Sequence, residues 1–170
     1  MNRKETTAFL SRLLVANRLS GMGKHWANEV CIDYGTKDVK RIDFMMFEPS
    51  TQTSISGIEK GIFTCFEVKS CKSDFNSGYG RNFIGEKNYF VMTMSTYKEV
   101  INEIPYGVGV LVAIPRYSNE LDEFENPTKL IETDDPNDWK LHTIFPARHQ
   151  ERKRPMVELL FCMLRSGQTV

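Results

Sequence analysis

The sequence predicts an α/β fold in which a central mixed β-sheet is flanked by helices. Three observations carry that prediction. Phe9, Leu10, Leu13 and Leu14 recur at helical spacing near the start, behind Glu5, Thr6 and Thr7, where acids and small polar residues suit a helix N-terminus. Gly61–Ser70 is an apolar run whose Ile62, Phe63, Cys65, Phe66 and Val68 suit a central strand covered on both faces. Strand-length apolar runs at 88–94 and 108–114 then alternate with a helix-length segment at 95–104.

Residues 3–18 form the first helix, which Leu19–Lys24 breaks. Gly21-Met-Gly-Lys24 has the look of a phosphate loop, but the Walker spacing is absent and the run follows a helix instead of a strand. Residues 28–35 and 37–47 read as a hairpin turning at Gly35–Asp38, and polar residues 49–57 as a loop leading to the strand at 61–69. Gly78, Gly80 and Gly85 argue against much helix in 70–87, so a short turn after Asp74 and a glycine-rich loop are expected there. A strand follows at 88–94, a helix at 95–104 capped by Ser95, and a strand at 108–114. Residues 115–138 carry Glu120, Asp122, Glu123, Glu125, Glu132, Asp134 and Asp135 and should be solvated. A strand at 139–145 and a helix at 155–165 close a single domain over 1–170, with its core in 3–114 and a C-terminal strand and helix within 139–166.

Lys plus Arg equals Asp plus Glu at 22 each, so any nucleic-acid site has to be a local patch. Cys31, Cys65, Cys71 and Cys162 form no Cys-x-x-Cys pair and have no His at zinc spacing, which reads as buried free thiols in a reducing compartment. The opening residues lack the apolar core of a signal peptide, and no apolar run reaches membrane-spanning length. A soluble cytoplasmic protein with no membrane partner is expected.

The chemistry concentrates in two strands. Glu67 and Lys69 lie two apart at the end of the 61–69 strand and so point the same way, while Phe66 and Val68 point into the other layer. Asp43 is the acid inside the 40–47 strand. Pairing these strands brings Asp43 beside Glu67 and Lys69: two hard oxygen ligands for a divalent cation, with a lysine next to them, a phosphodiesterase layout. An isolated Glu-x-Lys is more often an ordinary ion pair on a solvated strand face. The apolar character of the 61–69 strand weighs against that here, because unpaired charges in a central strand are costly.

Arg41-Ile-Asp-Phe44, Glu67-Val-Lys-Ser70 with Asp74-Phe75, Tyr89-Phe-Val-Met92 and Ile104-Pro-Tyr-Gly-Val-Gly-Val-Leu111 together resemble the PD-(D/E)XK, restriction-endonuclease-like nuclease superfamily, in its MmcB-like branch associated with DNA repair. The run Asp74–Gly85 resembles a variant found in phage proteins. The resemblance covers 41–111 and implies an αβββαβ-type core, with a loop partly replacing the helix after the third strand. It implies Mg2+ or Mn2+ held by Asp43, Glu67 and the Val68 backbone carbonyl, with Glu5 a further candidate ligand and Lys69 set against the attacking water. It also implies DNA as substrate, in repair, recombination or phage DNA processing. A partner that delivers the enzyme, a homodimer, and a non-catalytic DNA-binding or complex-forming relative are the alternatives it leaves open.

Ser70, Asp74, Tyr79, Arg81 and Asn82 could shape substrate access from the loop after the strand, and Lys87 stands where related enzymes sometimes carry a helper Lys or Gln. Arg148, Arg152, Lys153 and Arg154 form the strongest basic cluster, readable as a phosphate-tracking patch or as a solvated linker. His25, His142 and His149 have no partners at metal or triad spacing, so histidine chemistry is not expected.

Overall fold

The computed structural model describes all 170 residues. The chain runs α1 (Arg3–Leu14), β1 (His25–Ile32), β2 (Lys40–Glu48), α2 (Ile55–Glu59), β3 (Ile62–Lys69), α3 (Lys72–Asn76), β4 (Lys87–Thr93), α4 (Met94–Val100), β5 (Gly109–Pro115), α5 (Glu120–Glu125), β6 (Trp139–Phe145) and α6 (Met156–Ser166). The six strands lie side by side in chain order. β1, β2 and β3 are antiparallel, β3, β4 and β5 are parallel, and β6 returns antiparallel. Parallel neighbours cannot be joined by tight turns, and the helix-bearing segments 70–86 and 94–108 supply the two crossovers.

α1 begins in a capping box between Asn2 and Glu5, and continues into a π-helical turn at Val15–Leu19. Its Phe9, Leu10, Leu13 and Leu14 are fully buried against Phe44, Phe66, Val68 and Leu141 on one face of the sheet. The opposite face carries two further cores. Leu159, Cys162 and Met163 of α6 cover β1 to β3, while Phe75, Tyr97 and Val100 of α3 and α4 cover β4 and β5. β3 is therefore sandwiched along almost its whole length, as its apolar run requires.

Several local expectations are corrected. The 49–57 loop leads into α2, because the Ser54 hydroxyl accepts the Gly57 N–H and caps a helical turn. Asp74 sits inside α3 instead of before a turn. α4 starts one residue early, with Thr93 and not Ser95 as its cap, and ends at Val100 before a 3-10 turn. The acidic stretch is not wholly solvated: it holds α5, and Glu123, only 5% exposed, accepts from Ser118 Oγ and from the Thr128 N–H and hydroxyl. All four cysteines are free, but Cys31 and Cys71 are half-buried where burial was expected. No helix is long and apolar enough to cross a membrane.

Phe9 is fully buried, with the Trp139 ring edge-on at 5.7 Å. Phe9→Ala is expected to cost about 3–5 kcal/mol in urea denaturation. Leu164→Ala, at an exposed position of α6, should stay within about 0.5 kcal/mol. Equal losses at the two positions would mean that α1 is not the lid of this core.

Candidate functional site

β2 pairs with β3 from Glu48↔Ile62 to Phe44↔Phe66, and there the pairing stops. At the same point the β1–β2 register passes from Asn28↔Phe44 to Val30↔Ile42, skipping Glu29 and Asp43. Glu29 takes a left-handed φ of 53°, a strained conformation for a residue with a Cβ. The alternation of faces slips with it, since Phe44 joins the core under α1 and Ile42 the core under α6. β2 thus turns away from β3 at Asp43. The next donor on β3, the Val68 N–H, is taken by Asp43 Oδ2 at 2.8 Å.

Glu67 and Lys69 project from the last turn of pleat on β3 and are 4% and 3% exposed. Burial, and then the charge of Asp43, push the Glu67 carboxyl up to about 9, against the attraction of Lys69. Asp43 is also raised by burial, opposed by the Val68 N–H and by the Lys69 and Arg41 charges. The two side chains are close enough to hydrogen-bond to each other. At neutral pH the pair therefore holds one proton between two carboxylates.

The loop after α3 closes onto this pair. Lys69 Nζ donates to the Tyr79 carbonyl at 2.6 Å. Gly80 follows at φ +71°, and a Cβ there would run into Glu67 Oε2, so glycine is required both by conformation and by space. Asp74 anchors the start of the loop, accepting from the Ser70 N–H and hydroxyl and pairing with Arg3 at 2.7 Å. A cleft of about 900 Å³ opens over the pair, rimmed by Arg3, Lys40, Arg41, Asn28, Glu29 and Asn82. Arg41 is held by Glu29 at 2.9 Å.

Two carboxylates converge here, and no third His, Cys, Asp or Glu joins them to make a ready-made cage. Two hard oxygens in a lysine-bearing cleft still suit Mg2+ or Mn2+, which take carboxylates sparingly and complete their shells with water and main-chain oxygen. Val68 borders the same cleft.

The other predicted residues are elsewhere. The Glu5 carboxylate accepts the Asn2 N–H at 2.7 Å as part of the α1 cap and does not line the cleft. Ser70 is buried and spent on Asp74. The Arg81 guanidinium lies over the Phe75 ring at 4.7 Å and donates to the Phe75 carbonyl. Lys87 pairs with Thr64, five residues down β3 from Lys69 and roughly 17 Å away along the strand. Part of the basic cluster serves as a brace, while Arg148 and Lys153 stay exposed: the Gln150 and Lys153 N–H groups donate to the Glu86 and Ile84 carbonyls. Arg152 pairs with buried Glu86, Arg154 with Asp33 and Glu158, and Lys153 Nζ reaches the Asn82 carbonyl. Arg148 lies over the exposed Tyr106 ring.

Tyr79, expected to shape substrate access, does close on the pair, whereas Gly80, Glu29 and Lys40 were not predicted as parts of the site. The glycines of 78–85 carried a usable signal, since glycine also marks close approach of the backbone to another group. Nothing in the sequence of β1 signals the left-handed Glu29.

No protein-family model matches the chain, and no curated protein matches it. Among solved structures, the chain is similar to the SPO1766 protein of unknown function from Silicibacter pomeroyi, with a TM-score of 0.56 and 15% identity, over 95% of this chain and 82% of that one. Likeness at that identity shows the fold alone: an α/β domain with a six-stranded mixed sheet flanked by helices.

The raised carboxyl sets a sign for stability against pH. A Glu67 carboxyl at about 9 when folded, against an ordinary 4.5, means that the folded state holds the extra proton between those values. The stability it contributes is fully present below about pH 4.5 and is lost as pH rises through about 9. Denaturation midpoints in chelator should fall across that window, and Glu67→Gln should flatten the decline. A midpoint that climbs from pH 5 to 8.5 contradicts the shared proton.

Proposed function

We propose that this chain is a divalent-cation-dependent deoxyribonuclease with a restriction-endonuclease-like core. The observation that carries the reading is the convergence of Asp43, Glu67 and Lys69 in one cleft where β2 and β3 part. The core order α1-β1-β2-β3-α3-β4 agrees with the αβββαβ arrangement, with α3 reduced to five residues and followed by the glycine-rich loop.

Asp43 and Glu67 are the residues that would hold Mg2+ or Mn2+, with the Val68 carbonyl. Once bound, such a cation supplies a water made nucleophilic near neutral pH and neutralises charge on the phosphate. Asp43 is positioned for this by its bond to the Val68 N–H, which fixes the carboxylate on the main chain of β3. Glu67 would release the shared proton on binding. Lys69 keeps its ammonium in the same cleft, within reach of both carboxylates by charge though paired with neither, where it can orient a water or stabilise developing negative charge once it lets go of the Tyr79 carbonyl. The Tyr79–Gly80 backbone excludes solvent from Glu67.

A second reading, a non-catalytic complex-forming protein that keeps the fold, is favoured by the same loop. Lys69 is already bonded and Glu67 already covered. Of the cleft's other cations, Arg3 and Arg41 are already paired with acids.

Duplex, single-stranded and branched DNA incubated in Mn2+ should be cut by the wild-type protein. Asp43→Asn or Lys69→Ala should lower the rate by at least about a hundredfold, the size of loss usual for a charge-stabilising group. Cleavage that survives in Lys69→Ala would place the activity elsewhere. Mn2+ titrated calorimetrically in two buffers of different ionisation enthalpy should release close to one proton per site. The affinity should rise with pH by up to about tenfold per unit between pH 6 and 8.5.

A further inference from the structure

A second cavity, of about 200 Å³, lies on the α1 side of the sheet, at the opposite end of β3 from the acid pair. Arg18, Lys24 and Lys87 line it, with Glu48 as its one carboxylate. All three cations are half-buried, yet none has an ion-pair partner within 4.0 Å. Three half-buried cations facing a single cavity with no acid paired to them leave a local positive charge that suits an anion.

The donors are built into the fold. The π-helical turn Val15–Leu19 sets Arg18 against the edge of β6, where its guanidinium bonds the Leu141 carbonyl and Thr143 Oγ1, each at 3.0 Å. Arg18 Nε is left buried with no hydrogen-bond partner. Lys24 Nζ is held at 2.7 Å by the Arg18 carbonyl, and Lys87 Nζ makes no hydrogen bond within the protein. Three cations against one carboxylate leave a formal excess of two positive charges. The volume is below the roughly 300 Å³ at which pockets for whole drug-sized ligands begin.

We propose that this cavity is a phosphate-binding site, taking a dianionic inorganic phosphate or the terminal phosphate of a nucleotide. Arg18 and Lys87 contact the oxyanion, Lys24 closes the mouth, and Glu48 sets the charge excess at two. The site is independent of the Asp43–Glu67 pair and does not require that the protein be a nuclease.

Calorimetry at constant ionic strength, in chelator, tests it with inorganic phosphate, a nucleoside 5′-monophosphate, and one oligonucleotide with and without a 5′-phosphate. Wild type is expected to bind phosphate saturably at one site per chain. Lys87→Met should weaken this at least about tenfold, with Lys24→Met as a second variant should the first not fold, and Glu48→Gln should tighten it. Asp43→Asn, which lies in the other cleft, should leave it unchanged. Monophosphate or phosphorylated oligonucleotide binding tenfold tighter than phosphate identifies a nucleotide end as the ligand; equal binding identifies free phosphate. No saturable binding by wild type, binding undiminished in the folded lysine variant, or equal weakening by Asp43→Asn overturns the proposal.

Discussion

The Asp43 carboxylate accepts the Val68 N–H just beyond the last β2–β3 pair, and the cleft depends on that bond. Had β2 continued beside β3, a ladder carbonyl would have taken the same N–H and the sheet would have closed over the site. A side chain in its place satisfies the donor while letting the strands part. It also pins Asp43 against Glu67, at the cost of burying two carboxylates together. The shared proton and the Lys69 ammonium offset that cost, and both require the neighbouring Tyr79–Gly80 backbone to keep water out.

The rest of the fold holds this geometry in place from several directions. α1 packs Phe9 and Leu13 under Phe66 and Val68, so the alternate residues Glu67 and Lys69 have to face the other side. α6 covers that other side only as far as Phe63 and Cys65, leaving the end of β3 to the loop. The loop in turn is braced by the C-terminal segment, whose backbone bonds to Ile84 and Glu86 and whose Arg152 pairs with Glu86. Glu86 also accepts the Phe63 N–H at 2.8 Å, so the brace and β3 meet at one buried carboxylate.

A net charge of zero conceals a polar arrangement along β3. Its C-terminal end buries the Asp43–Glu67 pair with Lys69 in a cleft of mixed charge, while its N-terminal end gathers three unpaired cations around one acid. The basic segment near the C-terminus, the most conspicuous charge in the sequence, contributes to neither cavity: Arg152 and Arg154 are taken by Glu86, Asp33 and Glu158, and Arg148 lies over Tyr106. Charge runs report composition along the chain, whereas a binding site needs charges left unpaired after folding.

Periodicity by itself determined the helix–strand order, the central place of the 61–69 strand, the hairpin at Gly35–Asp38, and the shared face of Glu67 and Lys69. Those features depend on local spacing and on which residues tolerate burial, both visible in one dimension. Short capped turns such as α2 and α5 escaped because they rest on one or two side-chain bonds with little apolar pattern. Only the tertiary structure decided where β2 leaves β3, that Gly80 presses on Glu67, that Glu5 is a cap, and that Lys87 belongs with Arg18 and Lys24. These are contacts between residues distant in sequence, set by register and by a left-handed residue at Glu29, and local spacing carries no record of them.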